Sequence, residues 1–297
     1  MEPHLSEGRF ASVTALTDEA LFAQVGVRIA FTQRSGGVSC GAYDSLNLGA
    51  HVQDVPASVQ ENRRRVQAAF AAEGLPCIIP QQVHGVRTLD LLQPDAAPRV
   101  QAAADQGADG IVVGCTQAAA LLCFADCVPL IIVSPTGHFA VVHAGWRGVE
   151  GEIAAAAVSR LAALDAEALG VQDARGARDA RGAQDVSSAQ DAQLAQVASA
   201  FNVYIGPYIH AECFETSPEI HERFTNKFGR ECAFDAQHID LGCALRVSLQ
   251  ASGIQEARIA DAATCTVCGF PHYFSYRAAH GVCGRHAAFA VCLRRAK

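Results

Sequence analysis

The chain has 297 residues, 50% of them hydrophobic and 18% charged, enough apolar material for one large buried core or two small ones. A formal net charge of −7, with no stretch that collects the Lys and Arg phosphate tracking requires, argues against an electrostatic nucleic-acid surface. The start, Met1-Glu2-Pro3-His4, lacks the basic stretch of a secretory leader, and the apolar region from Ile111 to Ser134 is broken by Thr116, Gln117, Asp126 and Pro129. The expectation is a cytoplasmic protein with no membrane span. The twelve cysteines are scattered rather than framed as a disulfide scaffold, so reduced thiols are expected.

In chain order, Gly26 to Thr32 alternates as a strand does and enters the turn Ser35-Gly36-Gly37. Pro56 suits a first helical turn, and helix formers continue to Glu73 before Gly74 stops them. Short apolar runs at Gly110–Val113, Ala119–Phe124, Pro129–Val133 and Phe139–Val142 predict buried strands. Helical patterning spans Glu150 to Leu169. Residues 172 to 195 then divide into four hexads, each with Asp second and Ala last. With so little apolar bulk, this tract reads as a low-complexity surface insertion. A strand at Asn202–Ile205, helices near Pro218–Phe228 and Leu241–Ser252, and a strand at Arg258–Ala260 follow. Strands and helices do not alternate cleanly, which predicts an α+β or layered α/β fold, a single domain of packed sheets flanked by helices. No GxGxxG or GxxxxGK[ST] phosphate loop is present.

Three segments set metal-capable side chains at the ends of apolar runs: Gln81-Gln82-Val83-His84-Gly85, Ala125-Asp126-Cys127-Val128-Pro129 and Val142-His143-Ala144-Gly145-Trp146-Arg147-Gly148. Two imidazoles and one thiolate suit Zn2+, and three protein ligands leave a fourth position for water or substrate, as catalytic sites do. Spacing alone does not bring His84, Cys127 and His143 together.

Read in order, these segments resemble the laccase-domain family, the multicopper-polyphenol-oxidoreductase-like or purine nucleoside phosphorylase-like proteins. Arg34-Ser35-Gly36-Gly37-Val38-Ser39 with Leu46-Asn47-Leu48-Gly49 resembles its opening motif. Ala108-Asp109-Gly110, Ile205-Gly206-Pro207, Phe214-Glu215, Asp240-Leu241, Cys265-Thr266, Phe274-Ser275-Tyr276-Arg277 and Gly284-Arg285 extend the match over nearly the whole chain. The resemblance implies zinc held by His84, Cys127 and His143, and phosphorolysis or deamination of purine nucleosides such as adenosine, inosine, guanosine or methylthioadenosine. Its partners are then a small nucleoside and inorganic phosphate. The chain departs from the family in carrying Leu245 where asparagine is common.

Phosphorolysis needs a cationic clamp for phosphate, and the planar fork of arginine fits one. Arg34, Arg147 and Arg277 are the candidates, Arg34 foremost, with Asn47 set to orient ribose or phosphate. Asp126, beside a ligand, is expected to orient His84 or His143, or to handle a proton. Deamination would use the same metal to lower the pKa of water.

Rival readings remain open. Cys127 and His143 could form a metal-free thiol hydrolase pair. The family also implies removal of a wrong amino acid from a nucleotide-linked cell-wall precursor, and zinc could serve only as a structural staple. His210-Ala211-Glu212 with Cys265-Thr266-Val267-Cys268 imitates a nucleobase deaminase, but Thr264 stands where that motif needs proline. The CxxC has no second pair in the sequence to complete a four-ligand site. Laccase chemistry is not expected, since the chain has no His-x-His.

Overall fold

The computed structural model describes residues 2–170 and 183–294. The chain opens with β1 (Ser6–Phe10), β2 (Val13–Thr17), α1 (Glu19–Val25), β3 (Val27–Thr32) and α2 (Pro56–Ala69). Next come β4 (Cys77–Ile78), β5 (Thr88–Leu91), α3 (Ala97–Ala104) and the strands β6 (Gly110–Val113), β7 (Ala118–Phe124), β8 (Val128–Val133) and β9 (Phe139–Ala144). Helices α4 (Trp146–Glu150), α5 (Ile153–Ala168) and α6 (Ala183–Ala198) follow, then β10 (Asn202–Ile205), α7 (Pro218–Phe228), α8 (Leu241–Ala251), β11 (Ile259–Asp261) and β12 (His286–Cys292).

Two six-stranded sheets form among the described residues, with orders β1-β2-β3-β12-β7-β4 and β11-β10-β8-β9-β6-β5. The alternation of side chains along each strand sorts them into layers. On β7, Ala118, Ala120, Leu122 and Phe124 face Ile131, Val133, Phe139 and Val141 of the other sheet. Its alternate residues Ala119, Leu121 and Cys123 pack outward with Val66 and Phe70 of the α2 side. On the far side, Leu130, Ile132, Ala140 and Val142 meet Ala157, Leu161, Leu245 and Leu249 of α5 and α8. The result is the expected layered fold of two packed sheets flanked by helices. Because both sheet faces are covered, β6 to β9 are buried at every residue, which is why they read as unbroken apolar runs. Leu245 belongs to this core at 1% exposure, so the asparagine-to-leucine departure replaces a polar group by packing.

Local signals set most element ends. α7 begins at Pro218 behind Ser217, whose hydroxyl accepts from the Ile220 amide, and it matches the predicted bounds. α2 stops at Ala69, short of the predicted Glu73, because Ala71 already turns left-handed (φ 59°). The predicted helix from Glu150 is split in two, since Glu152 adopts φ 61° between α4 and α5. Gly26 is not part of its strand: at φ 72° it caps α1, a helix that the sequence reading lacks.

Residues 172–182 of the hexad tract lie outside the described residues. From Ala183 the tract is helical, and Leu194 and Val197, three residues apart on one face, pack against the α5–α8 core. The insertion expected over 172–195 therefore ends inside the helical layer. The expectation of reduced thiols fails at one pair: Cys232 and Cys243 form a disulfide, their Cα atoms 5.3 Å apart where α8 begins against the turn Arg230–Cys232. No helix among the described residues is long and apolar enough to cross a membrane.

Asn62 on α2 is fully buried and shapes the loop after β3. Its amide donates to Ser39 Oγ (2.9 Å), the Ser45 carbonyl (3.1 Å) and the Asn47 carbonyl (2.9 Å), and its oxygen accepts from the Val38 amide (2.8 Å). Asn62→Ala strands these partners without water and is expected to lower stability by roughly 2–3 kcal/mol. Urea unfolding checks this; a loss under about 0.5 kcal/mol, the range of ordinary surface changes, would contradict it.

Candidate active site

His143 sits near the end of β9 and Cys127 directly before β8, so backbone pairing of β8 with β9 sets them side by side. The chain leaves the first sheet at Phe124 and enters the second at Val128, with Ala125, Asp126 and Cys127 making the passage. Asp126 takes φ 94° to turn that corner. His84 arrives from the β4–β5 loop in a left-handed conformation (φ 58°). That loop is pinned to β7 by Gln82, whose amide donates to the Cys123 carbonyl and accepts from the Cys123 amide, both at 2.8 Å.

The structure brings the three predicted ligands together: their donor atoms all lie within 4.8 Å of one another. His84 and His143 meet edge to face, ring centres 4.8 Å apart. Gly145 keeps the space around them open, because a Cβ there would lie 3.1 Å from His84 Cδ2 and 3.2 Å from Cys127 Sγ. Two imidazoles and a thiolate that converge beside a backbone without a side chain fit a metal ion of zinc type.

Asp109, just before β6, organises the trio, and its buried carboxylate accepts four hydrogen bonds. They come from the amides of Val83 (3.3 Å), His84 (2.9 Å) and Gly85 (2.7 Å) and from His143 Nδ1 (2.8 Å). With Nδ1 so engaged, His143 turns Nε2 toward Cys127 and His84. Burial raises the pKa of the Asp109 carboxyl, but the bonds from His143, Gly85 and His84 bring it below the ordinary carboxylate value. Burial would likewise raise Cys127, yet His143 and then His84 bring it down to about 6. For His143, burial lowers the pKa while Cys127 and Asp109 raise it to about 9. Without metal, a thiolate and an imidazolium therefore face each other between those values.

The trio forms one wall of a cavity of about 460 Å³, within the range of small-molecule sites. Phe214, Tyr276, Arg277, Arg285, His51 and Gln82 also line it. Burial, then the Arg285 and Arg63 guanidiniums, lower the His51 pKa, so its imidazole is neutral at pH 7. Among the described residues no carboxylate pairs with the guanidinium of Arg277 or Arg285; Arg277 donates to the carbonyls of Cys213 and Glu215 (3.2 Å each) and Arg285 to those of Cys283 and Gly284 (2.9 Å each), so no anion of the protein neutralises either charge.

The other predicted residues fare differently. Arg34 is not on the cavity wall: its guanidinium donates to the carbonyls of Asp44 and Phe270 and stacks over Phe274 at 4.5 Å. Arg147 lies over the Trp146 ring at 4.2 Å, also off the wall. Asn47 is fully buried and closes its own loop, its oxygen accepting from Gly49 and from the Arg285 amide, its nitrogen donating to Asp54. Asp126 reaches the cavity but accepts from Thr266 Oγ1 (2.6 Å) and the Arg277 amide (2.7 Å), so the imidazole-orienting role expected of it falls to Asp109. Only Arg277 of the predicted arginines lines the cavity. Asp109 and Arg285 stand in the quoted motifs Ala108-Asp109-Gly110 and Gly284-Arg285, yet no local pattern marks their roles. Phe214 and Tyr276 are ordinary aromatics until the fold places them.

A His–Cys–His trio that could hold a metal ion, at the seam of a two-sheet α/β domain, is thus the class that fold and site define. The chain belongs to the multi-copper polyphenol oxidoreductase laccase family, whose model matches residues 28–179 and 174–293. Purine nucleoside phosphorylase YlmD of Geobacillus stearothermophilus is 30% identical over 270 residues, 87% of each chain. Adenosine deaminase RL5, from an unknown prokaryotic organism, is 28% identical over 269 residues, 85% of this chain and 88% of the relative. The crystal structure of the Geobacillus YlmD superposes with a TM-score of 0.75 at 25% identity, covering 99% of this chain and 100% of that one.

Two outcomes follow from the geometry. In chelator-treated protein, alkylation of Cys127 by iodoacetamide is expected to rise through a midpoint near pH 6, since thiolate forms above that value, and to move back toward higher pH in His143→Gln. A midpoint at the pH of an ordinary thiol would contradict the ion pair. Asp109→Asn, which keeps the shape but loses the charge, is expected to weaken metal binding about 10–100-fold in a chelator competition.

Proposed function

We propose that the protein is a zinc-dependent purine nucleoside phosphorylase that works at the His84, Cys127 and His143 site. The observation that carries this reading is the convergence of three donor atoms within 4.8 Å on the wall of a nucleoside-scale cavity. Relatives along most of the chain are named purine nucleoside phosphorylase, which supports the reaction class. Zinc is favoured over copper by the donors. A His–His–Cys copper centre takes a weak axial ligand, usually methionine, and the single methionine here is Met1. The Gln82 amide that could replace it is committed to Cys123.

Phosphorolysis places phosphate beside the sugar carbon as the glycosidic bond loosens toward an oxocarbenium-like state. Arg277 and Arg285 supply positive charge on the cavity wall, where they hold phosphate and stabilise charge developing on it. Phe214 and Tyr276 offer ring faces to the purine. His84, Cys127 and His143 would hold the ion, and Asp109 fixes the His143 tautomer. When bound, zinc supplies a Lewis acid that polarises an oxygen or acidifies a water. The same site also suits a second reaction, adenosine deamination, in which water attacks the purine ring carbon that carries the amine and ammonia leaves, and the relative named adenosine deaminase favours it. The cytosol is the proposed compartment, since ten cysteines are free thiols of the kind that stay reduced there, the Cys232–Cys243 bond being the exception.

Incubation with adenosine, inosine and methylthioadenosine, with and without phosphate, and product identification by mass spectrometry test the proposal. Phosphate-dependent release of free base with a sugar 1-phosphate is expected, whereas inosine from adenosine without phosphate marks deamination. No turnover of any nucleoside by zinc-loaded protein would sink the reading. Phe214→Ala is expected to raise KM about 10-fold or more with a smaller change in kcat, as loss of one stacking face would. Activity of metal-free protein that iodoacetamide abolishes would instead support the Cys127–His143 thiol mechanism.

A further inference from the structure

A second group of metal-capable side chains lies outside the His84–Cys127–His143 trio. After β10 the chain makes a single turn at Ala211–Cys213, and after β11 it returns through Thr264 to Gly269 alongside it, with Tyr208 and Cys265 bridged in parallel. This juxtaposition sets Glu212, Cys213, Cys265 and Cys268 so that one donor atom from each lies within 4.8 Å of all the others. Cys213 supplies the ligand that the isolated CxxC lacks in the sequence, and Glu212 the fourth.

The distances favour an ion over a covalent link. Cys213 Sγ and Cys268 Sγ are 3.8 Å apart. Two zinc–sulfur bonds of about 2.3 Å at the tetrahedral angle set their sulfurs about 3.8 Å apart. A disulfide needs about 2.05 Å. The His210 amide points at Cys265 Sγ (3.5 Å), the N–H···S contact that orients and stabilises a thiolate ligand. The Glu212 side chain is 47% exposed and, among the described residues, pairs with no arginine or lysine, while His210 Nδ1 lies 3.9 Å from its carboxylate. Three soft sulfurs and one carboxylate, four ligands in all, make a closed set of the kind that structural zinc takes.

We infer that Glu212, Cys213, Cys265 and Cys268 bind a second, structural zinc ion that braces the far wall of the cavity. The wall residues radiate from this group. Phe214 follows Cys213, and Arg277 donates to the carbonyls of Cys213 and Glu215 at 3.2 Å each. Thr266, between the two CxxC cysteines, donates to Asp126 at the opposite side. An ion at the four donors ties the 211–215 and 265–268 segments, and through them Phe214 and Arg277 keep their positions without touching the metal themselves. The inference stands whichever reaction the trio performs.

The test is zinc content of the full chain, purified with reductant and measured by mass spectrometry after gel filtration. The variant His84→Ala/Cys127→Ser/His143→Ala is expected to retain a zinc ion, and its cobalt form to show intense thiolate-to-cobalt absorption and tetrahedral bands. Cys213→Ser/Cys268→Ser is expected to lose one zinc relative to wild type while its trio still binds metal. Glu212→Gln, which leaves every sulfur in place, is expected to release the ion about 10-fold more readily to a chelator. If the triple variant does not fold, wild type answers alone, carrying two ions per chain against one if the inference is wrong. A trio variant free of zinc, an unchanged zinc content in Cys213→Ser/Cys268→Ser, or a disulfide-linked Cys213–Cys268 peptide found by mapping, distinct from the Cys232–Cys243 bond, would overturn it.

Discussion

The carboxylate of Asp109 is the constraint on which the site depends. It is fully buried, and four hydrogen bonds from two parts of the chain offset the cost of placing a charge there. Those bonds join the β4–β5 loop to the end of β9 through the first residue before β6, and the Asp109 carbonyl also accepts from the His143 amide at 2.7 Å. One anion thus sets the left-handed turn at His84 and the ring of His143 together. Removal of its charge alters both ligands at once, although it touches no substrate.

The sheets supply what Asp109 cannot. Cys127 lies where the chain crosses from one sheet to the other in three residues, so two rigid layers fix it rather than a long loop. β8 and β9 are paired along their full lengths, with Pro129 opposite His143, and this register holds Cys127 beside the imidazole. The cavity opens at this seam because strand ends diverge there, and the connections from β10, β11 and the approach to β12 close over it with Phe214, Tyr276, Arg277 and Arg285. Two of the three candidate ligands, Cys127 and His143, therefore come from the rigid seam of the sheets, while His84 and most of the other cavity-lining groups come from loops.

The parts of this arrangement that were legible share a physical cause. β6 to β9 are covered on both faces, so their sequence is apolar throughout and stands out from its neighbours. Cys127 and His143 sit at the ends of those runs, where a polar side chain has no reason to sit unless it has work, whereas His84 lies in the β4–β5 loop and only the fold brings it to them. β1 and β2 form an exposed edge, β4 is two residues long, and Ala287-Ala288 and Ala290 make β12 resemble a helix, so none of these strands announces itself. Asp109 acts on residues 25 and 34 positions away, a link that no local pattern encodes. Arg34 and Asn47 show the opposite error: their types suit phosphate and ribose, but Arg34 stacks over Phe274 and Asn47 closes its own loop, both away from the cavity wall, and only coordinates reveal where a side chain ends up. Charge was legible in kind but not in place, which is why Arg277 and the unforeseen Arg285 replace Arg34 at the cavity.

Charge balance explains why these groups favour a divalent cation. Asp109 and Cys127 bring two negative charges to one buried region. In metal-free protein the imidazolium of His143 answers one of them, and its pKa near 9 measures how strongly the region demands that proton. A dication answers both, and to bind it His143 must give its proton up. Binding therefore competes with protonation, so affinity falls as pH drops below about 9 and falls more steeply below about 6, where Cys127 is protonated too. The Cys127–His143 ion pair keeps the donors converged, and the energy that holds it would set the pH range over which a metal ion could replace it.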